Sequence, residues 1–246
     1  MVKKKMRLPN ELLALPNADK KFHEKWKDSR NMLNIPHPFR CVCLGPPNCG
    51  KSNVVKNLLI RAKPAFEQVF VIHCDPGYTK EYDDIGGILL NDIPTPEQWE
   101  GKVKTLCVLD DLEFKGMNKD QKRNLDRLFG FVSTHKNISC ILCSQDPFNV
   151  PPIVRRCSNL WVLWKCCDLD AMATCARKTG FKNFNTIFNQ LKIDGHNSLW
   201  LDMTEKSPYP MRKNGYTLIN KVDGTTTKKE EEGDDHFIPD NKMIIK

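Results

Sequence analysis

Residues 45–52 read Gly45-Pro46-Pro47-Asn48-Cys49-Gly50-Lys51-Ser52, which is the spacing G-x-x-x-x-G-K-S. That spacing suits the holding of a phosphate chain. Glycines at its two ends permit a backbone that turns successive N–H groups inward onto phosphate oxygens. A helix opening at Lys51 adds its positive end at the same place. Lys51 is then expected to reach the β- and γ-phosphates and the Ser52 hydroxyl to ligate Mg²⁺. The expected nucleotide-binding set is Gly45, Pro46, Pro47, Asn48, Cys49, Gly50, Lys51, Ser52 and Asn53. A second element, Leu106-Cys107-Val108-Leu109-Asp110-Asp111, is an apolar run that delivers two carboxylates at its end. Asp110 is placed to hold Mg²⁺ through water, and Asp111 to orient and polarise an attacking water. Many ATPases have Glu at the latter position, so the side chain here is one methylene shorter and its reach must be made up elsewhere. A third apolar run, 138–144, ends in Gln145, whose amide is expected to touch the γ-phosphate or the attacking water. The chemistry these residues could perform together is Mg²⁺-dependent ATP hydrolysis. Arg155 or Arg156 could supply the cation for transition-state charge, from a neighbouring subunit, as could Arg123 or Arg127. For any one of the four, a surface arginine without catalytic role is an equal reading.

These residues need a scaffold, and the sequence supplies the pattern of one. Short runs rich in Val, Ile, Leu, Cys and Phe occupy 39–44, 68–74, 105–110, 138–144 and 160–165. Such runs suit strands buried on both faces of a parallel sheet. Helical patterns fall at 51–61, 119–134, 168–179 and 184–191. In the second of these, Leu125, Leu128, Phe129 and Val132 share one face and the charges lie opposite. The alternation predicts one doubly wound α/β domain. Segments 198–203 and 209–219 read as two β segments joined by a Pro-containing turn at the sheet edge. The run at 68–74 intervenes between the phosphate loop and Asp110, which allows the inserted strand that separates motor-type ATPases from simple nucleotide kinases. Trp161, Trp164, Phe181 and Phe184 read as core.

The chain of 246 residues is 40% hydrophobic and 28% charged, enough for a buried core under a soluble surface. That composition excludes a collagen, a mucin-like stalk or a wholly disordered acidic chain. Lys and Arg number 38 against 30 for Asp and Glu, a formal +8 that favours an anionic partner. Residues 1–37 carry +5 and read as a basic arm, either solvated with a short helix near 11–15 or touching nucleic acid or a neighbouring subunit. The domain proper is expected over 38–220. Residues 221–246 carry −2 and read as a flexible charged tail, which leaves +10 on residues 1–220. No apolar run approaches the roughly 18 residues needed to cross a bilayer, and no apolar stretch follows the basic start to make a signal peptide. The expectation is a soluble intracellular protein. Its eleven cysteines read as reduced core residues. Cys140 and Cys143 have zinc spacing but would face opposite sides of a strand, and Cys166–Cys167 is no better.

With these motifs in place, the chain resembles the FtsK–HerA superfamily of ATPases, and more narrowly the genome-packaging ATPases of large DNA viruses such as poxviruses, virophages and adenovirus-like elements. The resemblance runs over about residues 39–214. It rests on the phosphate loop, the Asp110–Asp111 pair, and Ser144-Gln145 followed by Pro151-Pro152-Ile153-Val154-Arg155-Arg156. It also includes the late β pair, Leu199-Trp200-Leu201-Asp202 and Tyr209-Pro210-Met211-Arg212-Lys213-Asn214. The loop interior Pro46-Pro47-Asn48-Cys49 departs from the usual pattern, and a terminase of the tailed-phage type, with its fused nuclease or second large domain, is not expected. The resemblance implies a RecA/FtsK-like P-loop NTPase fold with a mostly parallel sheet flanked by helices and a C-terminal β pair. It implies an oligomeric ring that uses ATP and Mg²⁺ to drive double-stranded DNA, without sequence preference, into a capsid. Capsid or portal proteins would be its partners, and virion assembly sites in nucleus or cytoplasm, or the virion itself, its location. Two other readings compete: a P-loop nucleoside or nucleotide kinase, which needs an acceptor pocket and an arginine-rich lid, and a nucleotide-gated assembly switch.

Overall fold

Five apolar runs become the strands that carry the site. β1 (Arg40–Leu44), β2 (Gln68–His73), β4 (Thr105–Asp110), β5 (Ile138–Ser144) and β6 (Leu160–Leu163) form where the sequence predicts, two of them to the residue. The computed structural model describes residues 30–73, 75, 82–83, 85–166, 170, 173–175, 177, 184–191, 193, 195–204, 207–219 and 226–227. The expected helix near 11–15, most of the one at 168–179, and Phe181 lie outside the described residues. Among the described residues the sheet has ten strands, completed by β3 (Ile88–Leu90), β7 (Leu199–Asp202), β8 (Met211–Lys213), β9 (Thr217–Ile219) and β10 (Thr226–Thr227). Their order is β10-β9-β8-β7-β6-β1-β5-β4-β2-β3. From β3 to β6 all neighbours run parallel, and from β6 to β10 all run antiparallel.

Because side chains alternate along a strand, the parallel strands feed two cores. Cys41, Cys43, Leu106, Val108, Ile141 and Cys143 pack on one face against Val55 and Leu58 of helix α1 (Lys51–Ile60). Val42, Leu44, Cys107, Leu109, Cys140 and Leu142 pack on the other. That second face receives α2 (Lys119–Arg127), α3 (Pro152–Cys157) and α4 (Phe184–Gln190), through Leu125, Val154 and Phe184 among others. The result is a three-layer α/β/α arrangement. Cys140 and Cys143 do fall on opposite faces, and the nine cysteines with described side chains are free thiols. Among the described residues no group of three or more His, Cys, Asp and Glu could hold a metal. Nor is any described helix long and apolar enough to cross a membrane.

Several predicted boundaries shift for physical reasons. The helix expected over 119–134 starts with a capping box, in which Asn118 Oδ1 accepts from Gln121 N at 2.9 Å and Gln121 Oε1 accepts from Asn118 N at 3.0 Å. It then widens into a π turn at Leu128–Val132 before a last α turn at Ser133–His135. The wider turn directs Leu128, Phe129 and Val132 into the core together. Segment 209–219 is two strands, because Asn214 (φ 55°) and Gly215 (φ 82°) reverse the chain with two successive left-handed residues. With β10 on its edge, the expected C-terminal β pair is a four-stranded antiparallel meander, and Thr226–Thr227 of the expected tail belongs to it. The arm expected over 1–37 overlaps the fold: Ile35 is 1% exposed, and the His37 imidazole is buried with Nδ1 at 2.7 Å from Ser139 Oγ.

Candidate functional site

The two glycines of the phosphate loop are needed for different reasons. Gly50 caps α1 with φ 106°, and Asn48 (φ 60°) supplies a second left-handed residue, so backbone freedom is required at 48 and 50. Gly45 is required for space: a Cβ there would lie 2.6 Å from Cys49 Sγ and 2.8 Å from Trp164 Cβ. Of the two glycines expected to permit the inward-turning backbone, Gly50 alone has a left-handed conformation. Pro46 and Pro47 carry no N–H, so the loop's phosphate donors begin at Asn48 and run on through the orphan N–H groups of the first turn of α1. Trp164 reaches Gly45 because β6 pairs with β1 in the register Leu44↔Leu163, and Trp164 N donates to Leu44 O at 2.9 Å. His196 closes the same side: Trp164 Nε1 donates to its carbonyl at 3.2 Å, and its own Nδ1 lies 3.3 Å from Cys49 O. Trp164 and His196 have no signature in the sequence, since the β1–β6 register places them.

Lys51 is 8% exposed, and its Nζ donates to Gly45 O and Pro46 O, both at 3.0 Å. Its charge therefore lies inside the loop, with carbonyls where a nucleotide would present phosphate oxygens. Ser52 follows in the first turn of α1, and the exposed Asn53 lies on the outer side of that helix.

Strand order brings the other groups to the loop. β5 lies between β1 and β4, in the registers Leu44↔Ser144 and Asp110↔Cys143. Gly45, Gln145 and Asp111 therefore leave three adjacent strands at one level of the sheet's C-terminal edge, where ligands of open α/β sheets bind. Gln145 Nε2 donates to Asp111 Oδ2 at 3.3 Å and Oδ1 at 3.4 Å. Asp111 adopts φ 46°, a conformation uncommon for a non-glycine residue and concentrated at functional sites. The inserted strand that the sequence allows at 68–74 is β5 instead; β2 lies beyond β4, on its far side.

Asp110 has the same parity as Leu106 and Val108, so it projects toward the α1 face, and it is 5% exposed. The Tyr82 hydroxyl donates to its Oδ2 at 2.5 Å. Burial, with the nearby Cys143 and Asp110 adding to it, holds the Tyr82 phenol well above its ordinary range, so it stays a neutral donor. A buried carboxylate and the Ser52 hydroxyl are hard oxygen donors, few in number, which fits Mg²⁺ completed by substrate phosphates and water. Tyr82 lies in a connection without periodicity, and the sequence carries no signal for it.

The arginines are not gathered at this site. α2 and α3 pack on the face opposite α1, and Arg123 pairs with Asp120 of its own helix at 2.8 Å. Among the described residues no hydrogen bond or ion pair joins Arg123, Arg127, Arg155 or Arg156 to the phosphate loop. Arg156 is exposed, while Arg155 has a buried Nε without a hydrogen-bond partner.

The chain is similar in fold to the genome packaging NTPase B204 from Sulfolobus turreted icosahedral virus 2. With its sulfate complex the TM-score is 0.56 at 12% identity, over 73% of this chain and 96% of that one. With its ATPγS complex the TM-score is 0.55 at 12% identity, over 72% and 96%. B204, the DNA-packaging ATPase from Sulfolobus turreted icosahedral virus, gives 0.50 at 14% identity, over 70% and 95%. At such identities the likeness shows the fold, which is that of a P-loop NTPase with a mostly parallel sheet flanked by helices. No family model and no curated protein matches the chain.

Proposed function

We propose that this protein is a motor of the FtsK–HerA type that hydrolyses ATP to drive double-stranded DNA into a viral capsid. The observation that carries the proposal is β5 inserted between the strands of the phosphate loop and of Asp110, which sets Gln145 against Asp111. Simple nucleotide kinases of this fold class tend to have those two strands side by side. The likeness to a genome-packaging NTPase over nearly the whole of that protein supports the same reading.

In this reading the loop N–H groups from Asn48 onward hold the phosphates, and Lys51 exchanges the Gly45 and Pro46 carbonyls for β- and γ-phosphate oxygens. Ser52 and Asp110 hold Mg²⁺, which supplies charge compensation on the phosphoryl oxygens. Asp111 orients the attacking water and accepts its proton. Gln145 fixes the Asp111 carboxylate, makes up for its missing methylene, and passes the state of the γ-phosphate to β5. No hydrogen bond or ion pair among the described residues joins the four candidate arginines to the loop, and in this reading a transition-state cation from this set, Arg155 or Arg156 foremost, comes from the next subunit of a ring. DNA is gripped through its phosphates, without base readout, by the +10 on residues 1–220. The motor acts inside the host cell at the assembling capsid, against capsid or portal proteins.

Steady-state ATP hydrolysis with and without linear double-stranded DNA tests this. Lys51→Ala is expected to abolish turnover, and Asp111→Asn to bind ATP without turning it over. DNA is expected to stimulate the wild type at low salt, and added salt to remove the stimulation. Hydrolysis indifferent to DNA at every salt concentration would sink the motor reading and leave the ATPase.

A further inference from the structure

We infer that Tyr82 is a positioning residue for the metal side of the nucleotide site, an inference that rests on the ATPase reading above. Its ring is 3% exposed, in the same core as Val55, Leu58 and Val108, so α1 and β4 enclose it together. From there its hydroxyl donates to Asp110 Oδ2 at 2.5 Å. The phenol thus holds the carboxylate assigned to magnesium from outside the strand that carries it. A carboxylate at the end of a strand can rotate about its last bond. A donor on one oxygen fixes that rotation and so fixes where the other oxygen points.

The choice of donor matters. A Lys or Arg in this place would neutralise Asp110 and remove the charge that attracts a cation. A phenol holds the carboxylate and leaves its negative charge intact. Tyrosine also spans the distance from the core to the sheet edge with a rigid ring, so the constraint carries little conformational freedom.

The test is binding of ATPγS to the full chain, in EDTA and across a Mg²⁺ titration, for wild type, Tyr82→Phe and Asp110→Asn. Tyr82→Phe keeps the ring and removes only the hydroxyl. In EDTA its affinity is expected to stay within twofold of wild type, which also reports an intact phosphate loop. The Mg²⁺ concentration for half-maximal tightening is expected to rise about 10-fold, the usual size of a lost partner behind a metal ligand. Asp110→Asn is expected to lose the Mg²⁺ effect altogether. An unchanged Mg²⁺ requirement in Tyr82→Phe overturns the inference, and so does a lower one, which would make the phenol a competitor of the cation. Weaker binding in EDTA would overturn it too, by assigning the phenol to the loop. If Asp110→Asn keeps the full Mg²⁺ effect, or wild type binds no ATPγS, the underlying site assignment falls and this inference with it.

Discussion

Gly45 and Gly50 look equivalent in a motif, yet a side chain at each would fail differently. At Gly50 the left-handed backbone itself opposes substitution. At Gly45 the backbone would accept alanine, but the new methyl would meet Cys49 Sγ and Trp164 Cβ well inside contact distance. A Cβ cannot swing away, so the loop must move. Gly45→Ala is expected to lower stability by about 1–3 kcal/mol, the range for an overpacked site, and to weaken nucleotide binding as the loop N–H groups leave register. Thermal unfolding and ATPγS titration of the same variant check both; wild-type values in the two would remove the steric account. The motif letters identified the loop, while the reason for its first glycine lies in a tryptophan on another strand.

Among the elements, the antiparallel meander is tied to the start of the described chain by buried charge. Asp202 on β7 accepts from Thr204 N at 3.0 Å, Thr204 Oγ1 at 2.5 Å and Ser207 Oγ at 2.7 Å. The same carboxylate lies 3.6 Å from Arg30 and 3.6 Å from Arg212 of β8. Arg212, 2% exposed, also donates to the carbonyls of Leu33 and Gly215 and sits against the Trp200 ring. Burial lowers the Arg212 pKa and the Asp202 charge raises it, so the pair depends on both members. Asp202→Ala leaves a buried guanidinium without its counter-charge, which costs about 3–5 kcal/mol. Urea unfolding is expected to show a loss of that order, with Arg30→Ala losing less because Arg30 is nearer solvent. Equal small losses in both variants would mean that the cluster is not the tie.

At the scale of the molecule, His37 makes global stability depend on pH. Burial first, then the nearby Lys104 charge, holds its pKa down to about 3, although a hydrogen bond with the Asn137 backbone opposes this. In the unfolded chain the imidazole protonates near pH 6.5. Between those values the unfolded state binds the extra proton, so stability falls as pH drops below about 6.5 and is unaffected by this group above it. At pH 5 the loss is about 2 kcal/mol, from 1.36 kcal/mol per pH unit. Chemical denaturation of wild type and His37→Gln at pH 7 and pH 5 measures it. The wild type is expected to lose that much more than the variant, and parallel losses would discard His37 as the sensor. Because His37 packs on β5 through Ser139, its effect is expected in the cooperative unfolding of the whole sheet.

The sequence alone determined which residues are candidates for the chemistry and the strands that hold them, because phosphate binding needs a fixed local spacing and a doubly buried strand needs an unbroken apolar run. Lys51, Asp110, Asp111 and Gln145 were legible for that reason. Which strand separates Asp110 from the phosphate loop was decided by tertiary structure, since lateral order in a sheet leaves no periodicity in the chain. The same holds for Tyr82, Trp164 and His196, which enter the site through contacts between residues far apart in sequence. For the arginines, read as a cation from a neighbouring subunit or as plain surface residues, the fold adds that α2 and α3, which carry them, pack on the face opposite α1. Local physics names the reactive groups; long-range packing decides which of them meet.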